Sequence, residues 1–164
     1  MTILDIWVCT NTYGYDIISL RWFILINNIP VTCAVLYRVN DKFLICHSTG
    51  GPYWSLPKGI EDPNDVNKAH AAARELYEEV GIILPPDKLN FLGIFIYSKY
   101  KHMALFEYFA DEEFPINHMK CISMFTDQHG RELPEVDAYK YVTLEESRNY
   151  INRATLRILM EVMG

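Results

Sequence analysis

The chain predicts an α/β fold built on a mixed β-sheet with flanking helices. Apolar runs with strand character recur along its length, at 17–26, 31–38, 42–48, 91–98, 102–110 and 136–143, and the stretches 3–9 and 119–125 add two candidate strands. Helical spacing of apolar residues replaces that pattern in only two places, 66–80 and Leu144–Met163. Strands broken by helices in this order favour a layered α/β arrangement over an all-β one.

The first helix is announced by Asp62-Pro63-Asn64-Asp65, which supplies turn and capping chemistry before a start near Val66. Ala69, Ala72, Ala73, Leu76 and Val80 form its apolar stripe, Gly81 is a natural residue just past its end, and Pro85-Pro86 marks the following loop. In the second helix Leu144, Ile151, Leu156, Leu159 and Val162 can pack while Glu145, Glu146, Arg148 and Arg153 stay wet. Ser98-Lys99-Tyr100-Lys101-His102, between two strand-like runs, reads either as a solvated hairpin turn or as a local positive patch that contacts phosphate.

At 164 residues and 50% hydrophobic the chain reads as one domain, 1–164, in which residues 1–30 form an N-terminal extension, either extra strands or a surface for a homodimer. A formal charge of −6 argues against a long nucleic-acid partner, which needs a basic surface. Cys9, Cys33, Cys46 and Cys121 have no metal-type spacing and read as buried, reduced thiols. The apolar run 17–26 is too short for a bilayer and is interrupted by Ser19 and Arg21, so no membrane partner and a cytoplasmic location are expected.

The segment Arg74-Glu75-Leu76-Tyr77-Glu78-Glu79-Val80-Gly81-Ile82 carries the chemistry. At helical pitch Glu75, Glu78 and Glu79 fall within an arc of about 100°, and three like charges so close repel unless a cation sits among them. A Glu-rich helix face is ordinarily solvated surface. Here the acidic stripe is paired with a separate apolar anchor and preceded by the glycine turn Leu56-Pro57-Lys58-Gly59-Ile60-Glu61. All-oxygen ligands suit magnesium or manganese and not zinc or copper.

Gly59, Asp65 and Arg74-Glu75-Leu76-x-Glu78-Glu79-x-Gly81-Ile82 together resemble the Nudix box of the Nudix hydrolases, and the lead-in Trp54-Ser55-Leu56-Pro57-Lys58-Gly59 extends the likeness, which covers about 31–162. Two departures are visible: Asp65 stands where the family has glutamate, and eight residues instead of seven separate it from Arg74. The insertion lies before the helical register begins, so the metal face is expected to survive. The loop is the altered part, with Asp65 read as a helix cap and Asp65, Glu61 or Asp62 open as the replacement for the missing glutamate.

The resemblance implies an α/β/α sandwich and a metal-dependent hydrolase that cleaves pyrophosphate linkages in nucleoside diphosphate-linked compounds by water attack on phosphorus. It implies Glu75, Glu78, Glu79 and the Gly59 carbonyl as metal ligands and Arg74 as the group that orients the carboxylates. The general base belongs either to the box, at Glu78, or to a glutamate outside it. Glu107, acidic within an apolar strand, and Glu135, in the loop before the last strand, are the outside candidates, and Glu107 reads equally as the exposed face of an edge strand. Lys58 either meets phosphate or points to solvent. For a small nucleotide substrate, Tyr53, Tyr97, Tyr100 and Lys101 are the candidate contacts, with Trp54 favoured as core. A tyrosine in the region 97–100 is reminiscent of diadenosine polyphosphate hydrolases, with ADP-ribose and FAD as the other adenine dinucleotides in view. The alternatives are removal of a nucleotide cap from RNA and a non-catalytic nucleotide sensor.

Overall fold

A computed structural model describes residues 29–164. The predicted strands at 3–9 and 17–26 lie outside the described residues. Within them, β1 (Val31–Val39) turns through Asn40-Asp41 into β2 (Lys42–Ser48), with Asn40 at φ 55°, a left-handed conformation asparagine tolerates. Two short strands, β3 (Trp54–Ser55) and β4 (Lys58–Ile60), lead into α1 (Lys68–Val80). The hairpin β5 (Asn90–Ser98) and β6 (Lys101–Phe109) follows, then a small hairpin β7 (Met124–Thr126) and β8 (Glu132–Pro134), then β9 (Val136–Thr143), α2 (Leu144–Ser147) and α3 (Arg153–Met163).

β1 is the central strand of a seven-stranded mixed sheet. It runs parallel to β6 on one side, while on the other it pairs antiparallel with β2 at its C-terminal end and with β4 over Thr32–Ala34. β2 diverges to pair along its length with β9. Because side chains alternate along a strand, β1 divides the interior into two layers. Cys33, Val35 and Tyr37 pack with Ala72, Leu76 and Val80 of α1, and Ala34 and Leu36 pack with Ile158 and Leu159 of α3. The result is the expected α/β/α sandwich with a mixed sheet.

Three boundaries differ from the expectation, each for a hydrogen-bonding reason. α1 is capped by Asn67, whose side-chain oxygen accepts from Ala69 N–H (2.9 Å) and His70 N–H (3.1 Å); Asp65 is not the cap, because its carboxylate is engaged by Arg74. Residues 119–123 are not a strand: Lys120 N–H donates to the Val80 carbonyl, and Ile122 and Ser123 N–H donate to that of Glu78, so these groups close the end of α1 and pairing begins only at Met124. The C-terminal helix is two helices, since Ile151 bridges to Trp54 and Asn152 then caps α3 through Thr155 N–H (2.9 Å). Gly81 ends α1 as expected, at φ 84° with its N–H on the Tyr77 carbonyl.

Among the described residues Cys33, Cys46 and Cys121 are free, and no helix is long and apolar enough to cross a membrane.

Asn152 joins two elements, since its amide also donates to the Tyr97 hydroxyl (2.9 Å). Asn152→Ala should therefore lower stability by about 1–2 kcal/mol. The check is urea denaturation, where the midpoint should fall with the slope unchanged; an unchanged midpoint would remove Asn152 from the cap.

Candidate active site

The site is built where β4 meets α1. Pairing to β1 fixes β4, with Cys33 opposite Gly59, and the Thr32 hydroxyl donates to the Gly59 carbonyl (3.0 Å). A Cβ at Gly59 would stand 2.0 Å from the Glu75 carboxyl carbon, so only glycine lets this helix face press against the strand. One turn on, the Glu79 carboxylate accepts the Lys58 backbone N–H (3.0 Å). Glu75 and Glu79 are buried, while Glu78 is about one-third exposed.

Arg74 gathers this cluster. Its Nε and one terminal nitrogen donate to the two oxygens of Asp65 (3.1 and 2.9 Å), the latter nitrogen also to the Ile60 carbonyl (3.1 Å). Its other terminal nitrogen donates to Glu75 (2.7 Å) and Glu78 (2.9 Å). Asp65, at its altered spacing from the helix, meets the arginine as a fork-on-fork pair. Hydrogen bonds from Arg74 hold the Asp65 carboxyl below the usual carboxylate range.

The negative charge of the site is not fully neutralised. Burial, with repulsion from Glu75 and Glu135, pushes Glu79 up to about 7, against the partial relief of Lys58. Burial also raises Glu75, with Glu78 and Glu135 adding repulsion and Arg74 opposing. Buried carboxylate oxygens that repel one another form a donor set that fits a hard divalent cation. Among the described residues no three His, Cys, Asp or Glu side chains already surround one point as ligands.

Glu135 is the outside glutamate that the structure brings here: its charge acts on both Glu75 and Glu79, and its backbone is fixed by N–H donation to Ser123 O (2.9 Å) and acceptance from Thr49 N–H (3.0 Å). Glu107 is not part of the cluster. It follows Leu105 on the α3 face of β6 and forms an ion pair with Arg38 (2.9 Å), which answers the cost of burying it without a metal. Tyr97 is also withdrawn, packing on the α3 side with its hydroxyl on Asn152. Trp54 packs there too, against His47 and Tyr150.

Tyr53 is exposed on the turn between β2 and β3. Tyr100 is 70% exposed at the β5–β6 tip, beneath the Lys99 ammonium, and Lys101 opens β6, with β1 between it and β4. Among the described residues no hydrogen bond or ion pair joins Tyr100 or Lys101 to the carboxylates. Sequence reasoning missed Thr32 and Tyr139, whose hydroxyl donates to the Glu79 carbonyl (2.7 Å). Both hydroxyls sit on strands remote in sequence from α1, and no local pattern marks them.

A family model for the NUDIX domain matches residues 27–161. A curated relative, the uncharacterized 17.7 kDa protein in the e-segB intergenic region of Enterobacteria phage T4, is 32% identical over 139 residues, which span 79% of this chain and 92% of the relative. The NUDIX domain of Shewanella oneidensis NrtR, solved with ADP ribose, is similar in structure with a TM-score of 0.60 at 13% identity, over 80% of this chain and 84% of that one. A bifunctional NMN adenylyltransferase/ADP ribose pyrophosphatase from Francisella tularensis, solved with AMP and a manganese ion, gives 0.56 at 20% identity, over 90% of this chain and 46% of that one. The structural likenesses carry the fold, and the family model with the phage relative carries membership: the chain belongs to the Nudix family of pyrophosphohydrolases.

Proposed function

We propose that the protein hydrolyses the pyrophosphate linkage of small nucleoside diphosphate-linked compounds, using magnesium or manganese. The observation that supports this most directly is the buried carboxylate pair Glu75 and Glu79 pressed against Gly59 and Lys58 N–H, with Arg74 bridging Glu75 and Glu78. Glu75, Glu78 and Glu79, with the Gly59 carbonyl beside them, would hold the cation, which when bound neutralises phosphate oxygens and acidifies water. Arg74 keeps Glu75 and Glu78 oriented, and Lys58 offers its ammonium to a phosphate oxygen. Glu135 takes the proton of the water whose oxygen attacks phosphorus, as the bridging P–O bond breaks and the leaving phosphate departs.

Adenine dinucleotides are the substrate class we favour. Tyr97 is spent on Asn152, which leaves the exposed Tyr100 as the tyrosine of the region 97–100, and diadenosine polyphosphates, ADP-ribose and FAD all stay within the class. The test is chromatographic product analysis with magnesium on ADP-ribose, FAD, diadenosine tri- and tetraphosphate and nucleoside triphosphates. No turnover on any of them would refute this reading.

Glu79→Gln should keep the fold and lower turnover by at least about a hundredfold. Glu135→Gln should lower kcat at saturating magnesium. Glu107→Gln should cost stability through its orphaned Arg38 partner yet leave kcat within about twofold of wild type; a large kcat loss there would return Glu107 to the site.

Metal dependence has a definite pH sign. Because Glu79 rises from 4.5 to about 7 on folding, the native state binds the extra proton between those values, and the metal-free protein loses stability as pH rises through that window. Added magnesium should therefore raise the melting temperature more at pH 8 than at pH 5.5, by roughly 5 °C or more at a hundredfold excess over Kd. Equal shifts at both pH values, read by scanning fluorimetry, would contradict the assignment of Glu79.

A further inference from the structure

We infer that the pocket at the C-terminal ends of β1 and β6 is a second ligand site, which takes a small organic dication, an aliphatic diamine or polyamine. It stands independently of the hydrolase reading. The register sets it apart from the box: Gly59 lies opposite Cys33, and Tyr37 is further along β1 by about 13 Å at the rise of a strand. The pocket has a volume of about 370 Å³, in the range of small-molecule sites.

One wall is aromatic. Tyr37 and Tyr108 are register partners on the parallel strands, and their rings meet at 5.5 Å between centroids. Tyr37 is only 5% exposed, yet it lines the cavity and its hydroxyl makes no hydrogen bond among the described residues. Burial, Tyr108 and Glu112 together push that hydroxyl above its ordinary pKa, which puts it within reach of the acidic wall. An unpartnered hydroxyl in such a place costs free energy that a ligand N–H would recover.

The facing wall is acidic. Asp111, Glu112 and Glu113 follow β6 in a bow pinned at both ends, where Ala110 N–H donates to the Arg38 carbonyl (2.8 Å) and Phe114 N–H to the Tyr141 hydroxyl (3.0 Å). Glu113 has Lys42 as a long-range partner (3.7 Å), whereas among the described residues Asp111 and Glu112 have no ion pair. Two uncompensated carboxylates call for two positive charges, and a single lysine side chain would answer only one. A hard divalent metal needs oxygen atoms in place of its water on every side, which a wall of ring carbons does not supply. An alkyl chain with ammonium ends uses both walls: its carbons and charge lie against the tyrosine rings, and its N–H groups donate to the carboxylates and to the free hydroxyl. Because the bow is pinned before a ligand arrives, little ordering cost remains.

The test is calorimetric titration of putrescine into chelator-treated wild type and variants. Asp111→Asn combined with Glu112→Gln should weaken binding by at least about tenfold, both residues being exposed and outside the core. Tyr37→Phe should weaken it about threefold and keep the melting temperature, since the hydroxyl has no bond to lose. Butylamine, with the same chain and one charge, should bind at least about tenfold more weakly than putrescine to wild type. Wild type that ignores putrescine at millimolar concentration, or that binds it no better than the double variant does, would overturn the site. Butylamine bound as tightly as putrescine would overturn the assignment to a dication.

Discussion

Arg74 has five N–H donors, and each is spent within the box: two on Asp65, one on the Ile60 carbonyl, and two on Glu75 and Glu78. Among the described residues no other side chain links the loop before α1, the end of β4 and the acidic face of the helix. A lysine could serve one or two of these partners but not a planar array of them. The guanidinium also sets the charge balance, because it covers Glu75 and Glu78 but makes no bond to Glu79. The buried Glu79 is left with a backbone N–H and the more distant help of Lys58, so its charge is the least offset of the three.

The sheet keeps this chemistry apart from ordinary packing. Alternation along β1 and β6 sends one set of side chains to α1 and the other to α3, so two residues adjacent in sequence serve unrelated ends. Phe106 packs in the α1 layer and Glu107 in the α3 layer with Arg38. An acidic residue in an apolar strand is thus no pointer to a metal site unless the parity of the strand is known.

That parity explains what could be read from the chain and what could not. The order of the long strands and of the helices within 29–164, the end of α1 at its C-terminal glycine and the common helical face of its glutamates follow from local periodicity, whereas the two- and three-residue strands β3, β4 and β8 are too short to show one. The cap at Asn67, the break before Asn152 and the irregular path of 119–123 do not, because each depends on a partner supplied from elsewhere: Arg74 engages Asp65, Trp54 bridges to Ile151, and the open carbonyls of α1 take up the N–H groups that a strand would have used. Tyr97 was legible as an aromatic near the box in sequence, but its hydroxyl is spent on Asn152 across the opposite face.

The hydrogen bond from Glu135 N–H to the Ser123 carbonyl closes the intervening residues into a loop whose two ends are both anchored, one to the last turn of α1 and one to the glutamate beside it. Since the cost of closing a longer loop grows only slowly with length, that excursion can be lengthened, shortened or exchanged with little effect on its foundations. Such an arrangement makes the hairpin a separable part: a lineage, or a protein engineer, can rewrite its length and composition while Glu135 and the box stay where they are.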